Sequence, residues 1–540
     1  VSDPPERARR TLIAGALCAL AAIFAGVMAG TYIGRLPHHA GYFLVPVEDA
    51  VAVPYPHPRH TVVIVVDGLS KRTAEGFASR RRLEAEGQCR TMRVGPLTVS
   101  RPMYAVLSTG LEEDRTGCRN NDETTPLAAE SLWQVARRSG LTVTGVSGVP
   151  WWKQLFPDGF DRYEAVETEE DEVFGHEDVR DLTLVHPVYV DWNGHHHGAA
   201  SPEYQDAARR ADRGITAILD RLDLKRDLVV LTADHGHTSY GGHGGTQPEV
   251  ADVVTCFAGP GVARRGDAGA MSVRSFAATL SVLLGQPFPR HMRASEDGLD
   301  VVWDIADTTA MPAGYVADRR AAVDRFRAKN REVLASWLGP GVPPTWSSLY
   351  AREEGAQRRR LAAGFALLVA ALFAAARLRG VGARAVASFL AWAGLTLAVT
   401  LALYDALRHS LDFTSINARL AFLRAAIGVS AVVGAAALLL HRRVFADAWR
   451  LLGDQITLVA LLALATALHP FVYGWPLGFP LPGPYMLFFP FLAPCVLFVH
   501  AGYGGALCVA WWRRTGRRRR ASACPSRRAS ARRAGAATRR

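Results

Sequence analysis

The sequence predicts two parts of different kind: an α/β domain whose mostly parallel sheet carries helices on both faces, and an all-α transmembrane domain. Three observations predict this. Apolar, strand-like runs alternate with helical patterns between residues 60 and 260. Long uncharged apolar segments occur at residues 11–33 and again beyond residue 361. Between them lies a polar-to-mixed stretch of about three hundred residues. A chain of 540 residues exceeds one hydrophobic core in any case, so more than one domain is expected.

The N-terminal element comes first. Residues 1–10 read as a cytoplasmic N-terminus, with Arg7, Arg9 and Arg10 just before the apolar run Thr11–Ile33. That run is long enough to cross a bilayer. It is too long for the apolar region of a signal peptide, and no small-x-small cleavage site follows, so an uncleaved anchor is the reading adopted. At the other end, apolar segments near 361–376, 385–404, 420–440, 456–474 and 485–511 make a membrane domain of about five helices over residues 361–512. The last is interrupted by Pro490 and Pro494, which a packed bundle tolerates. The loops holding Arg377, Arg379 and Arg384, and Arg442, Arg443 and Arg450, fall on the cytoplasmic side when six spans alternate from a cytoplasmic N-terminus, as the positive-inside rule asks. Arg358–Arg360 would then lie outside, in a linker over residues 311–360 whose stretch 318–338 reads as an amphipathic helix.

Charge excludes one function class. The net charge of +12 suggests nucleic acid at first, but residues 513–540 hold twelve arginines and no Asp, Glu or Lys, so the rest of the chain is formally neutral. The arginine tail reads as a basic cytoplasmic, topology-fixing segment able to meet anionic lipid, and no nucleic-acid partner is expected. Residues 40–310 are left as an extracytoplasmic catalytic domain. No Asn-x-Ser/Thr sequon occurs there, which favours a bacterial inner membrane and periplasm over an endoplasmic reticulum lumen. Cys89, Cys118 and Cys256 lie in this domain; a Cys89–Cys118 disulfide is permitted, and so are thiols.

Within the outer domain three apolar runs each lead to an aspartate: Val62–Val66 to Asp67, Val188–Val190 to Asp191, and Leu228–Leu231 to Asp234. Helical patterns at Leu127–Ser139 and Ser201–Leu222 separate them. Ligands of open α/β sheets gather at the carboxyl ends of strands, so these aspartates are expected on one rim. Histidines accompany them: His195 four residues after Asp191 in a Gly-containing turn, His235 beside Asp234, and His243 within GGHGG. Mixed carboxylate and imidazole donors suit Zn²⁺, with Mn²⁺ next, better than Mg²⁺ or Ca²⁺. So many donors exceed one tetrahedral ion; two ions about 4 Å apart would use them and would clamp a phosphoryl transfer. A nucleophile is expected in Thr98–Gly110, where Ser100 suits the cap of a helix and Pro102 its first turn. A hydroxyl there meets free N–H groups and the positive end of the helix dipole.

These residues resemble a known family. VVDGL (65–69), TVSRPMYAVLSTG, GCRNN (117–121), DWNGHHHG followed by Ser201 and Glu203-Tyr204, and TADHGHTSYGGHGG look like successive motifs of the alkaline-phosphatase superfamily. The resemblance extends over roughly residues 60–260 and is nearest to type I phosphodiesterase/nucleotide pyrophosphatases and to the glycosylphosphatidylinositol (GPI) ethanolamine phosphate transferases, which share the layout of anchor, outer domain and membrane domain. It implies an alkaline-phosphatase-like sandwich and two divalent ions, one held by Asp191, His195 and His243, the other by Asp67, Asp234, His235 and Ser100. It implies Ser100 as nucleophile, Thr98 as the fallback, and Asn121 as donor to a phosphoryl oxygen. His237 stands where the family usually has methionine, either a harmless edge residue or a substrate contact. The implied activity is a double displacement through phosphorylated Ser100, from a phospholipid such as phosphatidylethanolamine to a glycan or lipid hydroxyl. The alternatives are a phosphodiesterase that passes the group to water, and a scaffold or transporter with a degenerate enzyme domain.

Overall fold

The computed structural model describes residues 44–352 except 96, 112, 119–120, 122–123, 167–172, 246, 294–298 and 350, together with scattered positions between 395 and 432. The expected anchor over 11–33, nearly all of the expected membrane domain, and both termini lie outside the described residues. Among the described residues no helix is long and apolar enough to cross a membrane.

Eight strands form one sheet: β1 (Thr61–Val65), β2 (Gly87–Arg93), β3 (Val143–Ser147), β4 (Arg162–Ala165), β5 (Leu182–His186), β6 (Leu228–Thr232), β7 (Asp252–Ala258) and β8 (Gly266–Ser272). Their order across the sheet is β4-β3-β5-β1-β6-β7-β2-β8. Every pairing is parallel except those of β7 with β6 and with β2, so β7 alone runs against the rest. The sequence TVVIV of β1 is buried along its whole length, as β-branched runs are when helices cover both faces of a sheet. β1 lies between β5 and β6, so the strands that lead to Asp67, Asp191 and Asp234 are immediate neighbours.

The helices that bear on the site are α1 (Ser100–Thr109), α2 (Leu132–Arg138), α3 (Tyr189–His197), α4 (Pro202–Arg221), α5 (Phe276–Leu283) and α6 (Ala313–Leu338). Ser131 caps α2 with a full capping box to Gln134, and Ser201 caps α4 ahead of Pro202 at its first position. All ten residues of α1 are buried, and Trp133 of α2 donates its indole N–H to Ser108 at 2.8 Å. The stretch expected as a linker carries α6. Its first half packs Tyr315, Val316, Ala322, Val323 and Phe326 into the same core as the sheet, and Arg319 meets Asp49 at 2.8 Å with both side chains fully buried. That buried pair holds the extended segment leaving Leu44 against α6.

Two sequence expectations need correction, and the cysteine pairing left open by the sequence is answered. Val188–Val190 is not a strand: β5 ends at His186, Pro187 lacks the N–H that a ladder needs, and the chain turns into α3, which carries Asp191 in its first turn. His195 is therefore one helical turn from Asp191 and does not sit in a loop. Ser100 is not the cap of α1; Val99 is, in extended conformation, and Ser100 is the first helical residue, so its hydroxyl is not spent on the helix end. The disulfide joins Cys89 to Cys256, not to Cys118, with Cα atoms 4.0 Å apart. Cys89 and Cys256 are direct register partners across the antiparallel β2–β7 pair, which puts their Cβ atoms face to face. Cys118 is buried apart from them.

Candidate active site

The residues after β1 set the first half of the site. Asp67 follows the strand, and Gly68 takes φ +70°, where a Cβ would sit 2.7 Å from the Cα of Asp191. Only glycine allows this turn to touch α3 so closely. Tyr204 of α4 braces the turn by donating to Gly68 O at 2.7 Å and accepting from Ser70 N at 2.8 Å.

Asp67 uses its two oxygens differently. Oδ2 accepts from the Tyr104 hydroxyl at 2.5 Å and lies 3.4 Å from His186 Nε2. Oδ1 is buried with no hydrogen bond. Asp234, after β6, repeats the pattern: Oδ1 accepts from the N–H groups of Gly68 and His235 at 3.1 and 2.9 Å, while Oδ2 is buried without a hydrogen bond. Both orphaned oxygens face His235 Nε2, at 3.5 Å from Asp67 and 3.2 Å from Asp234. His235 Nδ1 is bonded to the carbonyl of Gly236, so it carries the proton and Nε2 offers a lone pair. Ser100 Oγ completes the group at 3.2 Å from that same Nε2. Burial, then the charges of Asp67 and Asp191, push the Asp234 carboxyl well above the usual range, and burial pulls His235 down. The raised carboxyl is the mark of a site short of positive charge, and the lowered imidazole is one that burial keeps neutral.

The second cluster rests on α3 and the glycine-rich turn after β6. Asp191 Oδ2 lies 3.5 Å from His195 Nε2. Its Oδ1 lies 2.6 Å from His237 Nε2 and 3.6 Å from His243 Nε2. His243 donates from Nδ1 to Thr98 O at 2.6 Å, which turns its Nε2 inward, 2.9 Å from His195 Nε2. Burial alone would raise Asp191, but the charges of its histidines and the bond from His237 hold it well below the usual carboxylate range. Burial and the neighbouring imidazole of His235 lower His243 strongly. The ring of His243 stacks on that of His235 at 3.8 Å, so the two clusters touch.

Asp191, His195, His237 and His243 can bring one donor atom each to a common point, and so can Asp67, Asp191 and His235. The donor chemistry fits divalent cations. Two buried carboxylate oxygens without a hydrogen bond, both facing the Nε2 of His235, are what an ion would satisfy.

The remaining expected residues fall nearby with different standing. The Thr98 hydroxyl is fully engaged, donating to Gly245 O at 2.9 Å and accepting from Gly244 N at 2.8 Å. Asn121 sits beside the start of α1, its Oδ1 accepting from Arg101 N at 3.0 Å. His196 and His197 face solvent. Sequence reasoning missed Tyr104, His186 and Ser147. Ser147 at the end of β3 lies 2.8 Å from His186 Nδ1 and accepts from Val149 N at 3.1 Å. Tyr104 had a signal, since it lies four residues after Ser100 and so on the same helix face. His186 had only its place at the end of a strand.

Comparison with known proteins adds to this geometry. Residues 61–250 match the model of the type I phosphodiesterase/nucleotide pyrophosphatase family. The catalytic subunit of human GPI ethanolamine phosphate transferase 3 is 25% identical over 215 residues, 36% of this chain and 20% of that protein. Mouse GPI ethanolamine phosphate transferase 1 is 32% identical over 79 residues, 14% of this chain and 8% of that one. The chain thus spans about a fifth or less of the length of these curated relatives. Among solved structures, human ectonucleotide pyrophosphatase/phosphodiesterase 5 overlays with a TM-score of 0.37 at 13% identity, covering 46% of this chain and 100% of that one.

Proposed function

We propose, from the premise that residues 61–250 form a domain of the alkaline-phosphatase superfamily, that the chain is a two-metal phosphoryl transferase. In this reading it moves a phosphoethanolamine-type group from a phospholipid to a glycan or lipid hydroxyl. One observation carries it: Asp67 Oδ1 and Asp234 Oδ2, both buried without a hydrogen bond, face His235 Nε2, which lies 3.2 Å from the hydroxyl of Ser100. Asp67, Asp234, His235 and Ser100 hold one divalent ion, and Asp191, His195 and His243 the other. Zn²⁺ suits these donors best, with Mn²⁺ second. Bound there, the ions supply charge neutralisation at the phosphoryl group and lower the pKa of the attacking hydroxyls.

The chain's own residues do the rest. Ser100 forms the Oγ–P bond as the P–O bond to the lipid alcohol breaks, and the serine proton ends on the departing alcohol. Asn121, whose Oδ1 accepts from Arg101 N at the start of α1, is the amide that donates from Nδ2 to the phosphoryl oxygens on which charge builds. The second hydroxyl attacks phosphorus from the Asp191 side, the Oγ–P bond breaks, and the proton returns to Ser100. If that hydroxyl belongs to water the enzyme is a phosphodiesterase, the reading favoured by the description of the family model matched. The intact donor set argues against a degenerate scaffold or transporter.

A place on the outer side of a membrane has two supports. The Cys89–Cys256 bridge suits an oxidising compartment. Val45 and Leu349 share one small apolar cluster with Leu334, Leu338 and Trp346, so the segments nearest the two apolar regions leave the domain side by side, as two membrane connections would. The donor question is decided by mass. Purified in detergent with Zn²⁺ and given phosphatidylethanolamine, the protein is expected to carry a phosphoethanolamine group on the Ser100 peptide. A diester hydrolysed with no such adduct turns the reading to a phosphodiesterase. Full cellular function of Ser100→Ala would overturn both and restore the scaffold.

A further inference from the structure

We infer that His237 is a positioning residue: it donates a hydrogen bond that fixes Asp191 and leaves only one oxygen of that carboxylate for the ion. Rings near a cluster of this kind can be ligands or braces, and the bonding of the ring decides which. Gly242 N–H donates to His237 Nδ1 at 3.1 Å, so Nδ1 is the acceptor and the proton sits on Nε2. That N–H points at Asp191 Oδ1, 2.6 Å away. An Nε2 that holds a proton has no lone pair for a cation. His195 and His243 differ: His243 has its proton on Nδ1, toward Thr98 O, and meets His195 through Nε2.

The fold makes room for this bond. His237 is buried to 1% exposure, edge-on to the rings of His195 and His243. Gly194 lies on the face of α3 against the ring: a Cβ there would sit 2.4 Å from His237 Cδ2. An alanine at that point would push the ring off Asp191 while leaving the chemical identity of both partners unchanged. The brace stands where it is most needed, because Asp191 is in the first turn of a nine-residue helix and is 18% exposed, whereas Asp67 is 3% exposed and held by Tyr104. Imidazole N–H groups that fix a liganding carboxylate keep its orientation through ion loading and substrate entry.

This inference rests on the two-metal reading above, and the test separates the two. Full-length protein in detergent is stripped of metal and titrated with Zn²⁺ against a chelating dye, with thermal unfolding of each metal-free variant as the control for folding. His237→Met is expected to bind one of two ions about 10- to 100-fold more weakly and the other unchanged. His237→Gln, which keeps a side-chain N–H donor, should recover most of that loss. Gly194→Ala should weaken the same ion, and the double variant Gly194→Ala/His237→Met should lose no more than either alone. Asp191→Ala should lose that ion altogether. Wild-type affinity for both ions in His237→Met overturns the inference, with the two-metal reading intact. So does complete loss of one ion that Gln does not restore, since that is the behaviour of a direct ligand. A wild-type protein that binds no divalent cation overturns the two-metal reading and this inference with it.

Discussion

The two halves of the site are built from different materials. Around Ser100 the donors are two carboxylates and one imidazole at the ends of β1 and β6, fully inside the domain, with Asp234 pinned by backbone N–H groups, Asp67 by the Tyr104 hydroxyl and His235 by the Gly236 carbonyl. Around Asp191 they are one carboxylate and two imidazoles, with the third imidazole, His237, bracing the carboxylate; all are carried on a short helix and a glycine-rich turn, with His195 29% and Asp191 18% exposed. The carboxylates respond in opposite senses: Asp234 is pushed up by burial and by Asp67, while Asp191 is held down by its histidines despite burial. The strand-borne half is rigid, dry and short of positive charge, as suits a nucleophile that must stay in one place. The helix-borne half is open, charge-balanced and braced, as suits the side from which a second hydroxyl arrives.

The largest effect should come from Ser100→Ala. The serine hydroxyl bonds only to His235 among the described residues, so its loss should leave the fold intact while adduct formation and turnover fall on the order of 10⁴-fold or more. Retained turnover with unchanged ion content would place the nucleophile in the open half and invert the contrast. Next is Gly68→Ala, which acts where the halves meet. A Cβ at φ +70° would press on the Asp191 backbone at 2.7 Å and push the two clusters apart. A shift near 1 Å in such a site costs roughly 10²-fold in rate. Turnover assays beside the zinc titration should show activity lost ahead of binding.

Charge gives a third test, read on stability. A carboxyl raised in the folded state binds its proton more tightly there than in the unfolded chain, so its contribution to stability falls as pH rises from the ordinary carboxylate range toward the raised value. Asp234 therefore works against the metal-free fold at neutral pH. His235 and His243 are lowered, so they cost stability as pH falls below about 6.5. Asp234→Asn should remove the first contribution and leave the second. The metal-free variant is expected to melt above the metal-free wild type at pH 8, by roughly 2–4 °C or more, with the difference shrinking toward pH 4. Added Zn²⁺ should reverse the ranking, because only the wild type gains the stability of an ion at the Ser100 half, while the Asp191 half is intact in both. No crossover on Zn²⁺ addition would remove the claim that this half awaits a cation.

Much of this site was legible in the sequence, because open sheets put ligands at strand ends and β-branched runs mark those strands. Asp67 and Asp234 could be read from Val62–Val66 and Leu228–Leu231, and the structure brings them together with His235 and Ser100. Asp191 was read in the right neighbourhood on the wrong element. Val188–Val190 has strand composition, yet Pro187 ends the ladder and helix geometry takes over. What could not be read is whatever depends on strand order. Ser147, His186 and Asp67 form one chain of contacts because β3, β5 and β1 are adjacent, a fact that no local pattern states. The Cys89–Cys256 bridge depends likewise on the β2–β7 register, fixed by residues 167 positions apart.

The smallest expected effect concerns Thr98, the residue that ties the open half to the rigid one. Its carbonyl fixes the tautomer of His243, and its hydroxyl spans Gly244 and Gly245. Thr98→Val keeps the carbonyl and the shape and removes only the hydroxyl. The cost should be that of buried backbone groups losing a partner, about 1–3 kcal/mol of stability, with turnover reduced about tenfold or less. The phosphoethanolamine adduct should still form on Ser100. An adduct that vanished in Thr98→Val yet survived in Ser100→Ala would make Thr98 the nucleophile. Attack would then start from a hydroxyl that the fold has already spent on two backbone bonds, and the contrast between a reactive rigid half and a receptive open half would fail.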